Sequence, residues 1–85
     1  MTLNEVCTKN ADAKTRFTVK ILPSEKNDLP VVVFQGDAAA MRMIADLFFA
    51  ISVDEGPSDF SLAPDGAGQV FFRKSSNCGF YIDKE

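Results

Sequence analysis

The segment from Asp37 to Ile51 places the tightest constraint on this chain, because it predicts a short helix that is apolar almost all the way round. Asp37 is suited to cap its start, and Ala38, Ala39 and Ala40 give a first turn of high helical propensity. Met41, Ile44, Ala45, Phe48 and Ile51 recur at the spacing of one helical face, and Met43, Leu47 and Ala50 widen it. Only Arg42 and Asp46 plainly face water. At about 100° per residue, Phe49 projects between or beside those two charges. A helix with so little polar surface needs cover on more than one side.

The flanking segments read as strands. Phe17, Val19 and Ile21 alternate with Arg16, Thr18 and Lys20, the pattern of a half-buried strand with a wet outer face. That strand ends at Pro23, and Ser24 to Asp28 reads as a polar connection. Pro30 introduces Val31-Val32-Val33-Phe34-Gln35, a β-branched run suited either to a central strand or to one with a partly exposed apolar face. Gly36-Asp37 then turns into the helix, which stops between Ser52 and Gly56.

The remainder predicts a meander. Phe60 and Leu62 alternate with Asp59 and Ser61, and Ala63-Pro64-Asp65-Gly66 is a turn in which Pro presets φ and Gly permits positive φ. Gln69 to Lys74 reads as a strand with Val70 and Phe72 opposite Phe71 and Arg73. Phe80 to Asp83 reads as the last strand, with Phe80 and Ile82 on one face. Residues 1 to 14 show no period and predict either a short strand around Leu3 and Val6 or a frayed end. The expectation is one α+β domain over residues 1–85, in the order β-β-α-β-β-β. An antiparallel sheet of about five strands carries one helix on a face. One short helix cannot cover such a sheet, so the other face must be polar or buried in a partner. Phe71 and Tyr81, out of phase with the core positions, are candidates for that face.

Composition narrows the chemistry. With 85 residues the chain has room for one modest core and little room for a deep cleft. Eight Phe, one Tyr and no Trp make that core phenylalanine-rich. A net charge of −3 argues against nucleic acid as a partner, since displacing phosphate counterions requires a basic surface. The aromatic pair in Gln69-Val70-Phe71-Phe72-Arg73 therefore reads as core rather than as a base-stacking platform. No histidine is present, which removes the commonest general base, most zinc sites and the usual serine and cysteine triads. Cys7 and Cys78 match no metal or redox spacing. A disulfide requires the two ends to meet, and free thiols in a reducing cytoplasm are the favoured alternative. Asp54, Glu55 and Asp59 follow the helix, with Asp65 in the next turn, but their spacing fits no calcium loop. Gly66-Ala67-Gly68 leads into a strand rather than a helix, so it reads as a turn and not a phosphate cradle. The N-terminus does not read as a signal peptide, and no apolar run approaches the roughly 20 residues of a membrane span. The expectation is a cytoplasmic, non-enzymatic chain without cofactor or metal.

One resemblance adds to this reading. Val33-Phe34-Gln35-Gly36-Asp37, the helix with Met41, Ile44-Ala45-Asp46-Leu47 and Ala50, and then Leu62 and Gly66-Ala67-Gly68 resemble the thirty-second immunity-protein family of bacterial polymorphic toxin systems. The similarity covers roughly residues 31 to 74, with Asp59-Phe60-Ser61-Leu62 standing where that family carries a histidine-containing strand. The resemblance implies a cytoplasmic antidote that binds a toxin domain and blocks its active site. On that reading Asp54, Glu55, Asp59 and Asp65 oppose a basic toxin surface and speed association, while Phe49 with Arg42 and Asp46 supplies a central contact. Phe49 has the alternative of being covered by the N-terminal segment or a loop. The rival to an antidote is a small structural or assembly module that pairs with itself as a homodimer.

Overall fold

A computed structural model describes residues 1–22 and 29–85; the connection expected at residues 24–28 lies outside the described residues. The chain is α+β, with two helices and two two-stranded antiparallel sheets among the described residues. Along the sequence come α1 (Leu3–Asp12), β1 (Phe17–Leu22), β2 (Val31–Gly36), α2 (Ala38–Val53), β3 (Ser58–Leu62), a short 3₁₀ turn (Gln69–Phe71) and β4 (Phe80–Lys84). The expected single sheet of about five strands is therefore replaced by two hairpins, β1–β2 and β3–β4.

The N-terminal segment is neither a strand nor a frayed end. Thr2 caps α1: its Oγ1 accepts from the Glu5 N–H at 3.1 Å, and Glu5 Oε1 accepts from the Thr2 N–H at 3.2 Å. This reciprocal pair satisfies two donors that a helix start leaves open. Val6, fully buried, anchors the inward face, and the helix ends where Lys14 adopts a positive φ of 57°.

β1 is central to the architecture. On one side it pairs with β2, Phe17 opposite Gly36 and Leu22 opposite Val31. On the other it is bordered by residues 72–77. Phe72 bridges Phe17 in parallel, the Arg73 N–H donates to the Phe17 carbonyl at 2.8 Å, and the Asn77 N–H donates to the Val19 carbonyl at 3.1 Å. Side chains continue that edge: Ser76 Oγ accepts from the Val19 N–H, and the Asn77 carboxamide bonds both backbone groups of Ile21. The supposedly wet face of β1 is thus partly closed, with Thr18 buried and its hydroxyl 2.7 Å from Ser75 Oγ.

Residues 69–74, expected as a strand, instead begin with the 3₁₀ turn Gln69–Phe71, entered through Gly68 at φ 78°. The turn drives Phe71 into the core at 3 % exposure and leaves Val70 outside, the reverse of the alternation. Phe71, Phe72 and Phe80 surround Phe17 with ring centroids 5.0–6.3 Å apart, and Phe34 meets Phe80 edge-on at 5.6 Å. Such aromatic contacts add to the area these rings bury. Val6, Val19, Ala40, Met43, Leu47, Ala50 and Leu62 complete one core cluster.

α2 is capped as expected, with Asp37 Oδ1 accepting from the Ala40 N–H at 2.9 Å. Its buried face, however, is Ala40, Met43, Leu47, Ala50 and Ile51. Of the face expected to lead, Met41, Ala45 and Phe48 are exposed. No helix among the described residues is long and apolar enough to cross a membrane.

Candidate protein-binding surface

The outward face of α2 carries Met41, Phe48, Phe49 and Val53, all exposed. Phe48 is 53 % and Phe49 64 % exposed. Their neighbours Ala45 and Ser52 are exposed as well. The N-terminal segment packs on α2 as α1, yet it leaves Phe49 open to solvent. Two adjacent phenylalanines on an open helix face leave an exposed apolar patch.

Arg42 and Asp46 sit at the margin of this face. Arg42 is exposed and Asp46 half-buried, and both line a hollow between the two helices that also takes in Lys9, Asn10 and Thr15. Phe49 falls two turns on from Arg42 and nearly in line with it along the helix.

The four carboxylates predicted to follow the helix are divided. Asp54 terminates α2, its N–H donating to the Ile51 carbonyl at 3.3 Å and its own carbonyl accepting from Lys84 Nζ. Glu55 is exposed beside it. Because Lys84 pairs with Ser58, this contact brings the end of α2 to the first residues of β3, next to exposed Asp59. Asp65 is also exposed but lies past the opposite end of β3, in the Ala63–Gly66 turn closed by the Gly66 N–H to the Ala63 carbonyl.

Two residues outside the predicted set join Asp59. Asp83 is its direct cross-strand partner, so two carboxylates face each other on the outer face of the β3–β4 hairpin, an unfavourable pairing. Tyr81, anticipated as lying off the core face, is exposed and donates its hydroxyl to Asp59 Oδ2 at 2.8 Å. That hydrogen bond, followed by slight desolvation and the negative charges of Asp59 and Asp83, raises the Tyr81 hydroxyl above its ordinary pKa. The alternation of Phe80 to Asp83 already held the signal for Asp83, which falls in phase with Tyr81.

The remaining chemistry is plain. Cys7 and Cys78 are free thiols packed against the core, and burial pushes Cys7 up, away from the thiolate that nucleophilic chemistry needs. No group of three histidine, cysteine or acidic side chains among the described residues is placed to hold a metal ion. An open concavity of about 810 Å³ is lined by Arg16, Arg73 and Lys74 with Gln69, Val70 and Phe72. The sequence matches no family model, no curated protein and no solved structure.

Proposed function

We propose that the chain is a non-enzymatic protein-binding domain that works as an immunity protein does, by covering the active site of a toxin domain. The observation that carries this reading is the open pair Phe48 and Phe49 on α2, 53 % and 64 % exposed in a chain whose buried residues form a core cluster without them. Burial of such rings at the centre of an interface supplies most of the affinity. The acidic end formed by Asp54, Glu55, Asp59 and Asp83 supplies long-range attraction to a basic partner and raises the association rate.

The test is capture by the tagged chain in its native cells, followed by expression of the captured polypeptide alone and together with the chain. The expected result is a partner that arrests growth unless the chain is co-expressed. Phe49→Asp should weaken its binding at least about 30-fold, as loss of a central anchor does. A captured set unchanged by Phe49→Asp, or a partner harmless when expressed alone, would overturn the proposal.

A further inference from the structure

Among the described residues, β2 is an edge strand with none of the usual protection. Its hydrogen-bonding direction follows from β1. Phe17, Val19 and Ile21 turn their backbone groups toward residues 73–77, so Thr18, Lys20 and Leu22 turn theirs toward β2. Their register partners Gln35, Val33 and Val31 are therefore the residues bonded to β1. Val32 and Phe34 point their N–H and carbonyl groups the other way, and among the described residues none of these groups has a hydrogen-bond partner.

The side chains do nothing to block that edge. Natural edges are guarded by charge, bulge or proline within the strand. Here Leu29 to Gly36 contains no charged residue, and the only proline precedes the strand. Val31 and Val32 are exposed, Val32 at 53 %, and Phe34 is partly so.

We infer that β2 pairs antiparallel with β2 of a second copy of the chain, joining the two β1–β2 hairpins into one four-stranded sheet. The strand is complementary to itself. A two-fold axis through Val33 sets Val32 opposite Phe34 of the other copy and Phe34 opposite its Val32. All four outward donors and all four outward acceptors of those residues are then matched. The same register makes two valine–phenylalanine cross-strand pairs, a favourable combination, and brings no charge against its own image. This interface is separate from the α2 face and does not depend on its role.

The experiment is a sedimentation mass over a concentration series, paired with amide hydrogen exchange, on the full chain. The expected mass rises from 9.3 kDa to twice that value, and the Val32 and Phe34 amides gain protection in step with it. Val32→Pro removes an outward N–H and no bond to β1, so it should hold the mass at 9.3 kDa. Val32→Lys gives the same result by charge and serves if the proline variant does not fold. Phe49→Asp should leave the dimer intact while abolishing capture of the α2 partner, which separates the two readings. A monomer at every concentration, a dimer that survives both Val32 variants, or one that dissociates in Phe49→Asp would each overturn the inference.

Discussion

Thr15 Oγ1 donates to Asn10 Oδ1 at 2.9 Å, and both side chains are buried at the junction of α1 and β1. Asn10 Nδ2 in turn donates to the Val6 carbonyl at 2.8 Å, while the Thr15 N–H bonds the Asn10 carbonyl at 2.9 Å. The carboxamide therefore locks the last turn of the helix to the start of the central strand. Asn10→Ala removes two buried hydrogen bonds and strands the Thr15 hydroxyl, at a cost of about 1–3 kcal/mol. The double variant with Thr15→Val should lose less than the sum of the two single changes, because both partners are then gone. Urea denaturation of the four proteins checks this; strict additivity would refute the coupling.

Lys14, immediately after the α1 cap, has φ 57°, a conformation that favours glycine. Lys14→Gly relieves that strain but enlarges the entropy of the unfolded chain, so the net gain should be only about 0.5–1 kcal/mol. Lys14→Ala should give no gain. A thermal melt of the two variants beside the natural chain reads the difference.

The parts of the fold that local chemistry dictates were legible in the residues. Asp37 as a cap, the strand over β1, the turn from Gly36 into α2 and the outward position of Tyr81 follow from short-range rules. The alternation expected within β1 does not hold, since Thr18 is buried and Ile21 exposed. α1 was equally available through Thr2 and Glu5, a capping-box spacing, with Leu3, Val6 and Asn10 along its inward side. The face of α2 was not legible, since a helix apolar all round gives pattern no preference. Packing chose it: a Cβ at Gly36 would lie 2.5 Å from the Ala40 Cβ, so the strand end and the helix start meet on the alanine side. Phe71 and Phe72 misled for a related reason. A 3₁₀ turn lets two consecutive rings face Phe17, which a strand forbids. Among the candidate site residues, the sequence grouped Asp65 with Asp54, Glu55 and Asp59 by proximity in the chain. A five-residue strand separates them in space.

Gly56 and Gly68 provide a matched comparison of backbone strain and packing. Their φ angles are nearly equal, 75° and 78°. A Cβ at Gly56 meets nothing within 4 Å, whereas one at Gly68 runs into the Leu62 side chain, with Cγ 3.1 Å away. Leu62 is buried in the core cluster and has little room to move. Gly56→Ala should cost about 1 kcal/mol from the left-handed backbone alone. Gly68→Ala should add an overpacking term of about 1–3 kcal/mol. Equal losses in chemical denaturation would show that the Leu62 contact relaxes freely.

The Tyr81–Asp59 hydrogen bond makes a direct prediction about pH. The neutral phenol donates to Asp59, and ionisation would lose that bond and place a third negative charge beside Asp59 and Asp83. The folded pKa is therefore raised above the ordinary value of 10.0. A raised value means that the folded state holds its proton more tightly than the unfolded one. The associated stability is complete below the unfolded pKa and disappears as pH rises through the folded one. Tyr81 is the only tyrosine and the chain has no tryptophan, so ultraviolet absorbance reports its ionisation without overlap. The natural chain should titrate above 10.0 and Asp59→Ala should fall back toward it. Asp83→Asn should shift the midpoint less, since it removes only the smallest contribution. An Asp59→Ala midpoint equal to that of the natural chain would show that the bond does not persist in solution. The hairpin would then present the phenol and the two carboxylates as independent groups.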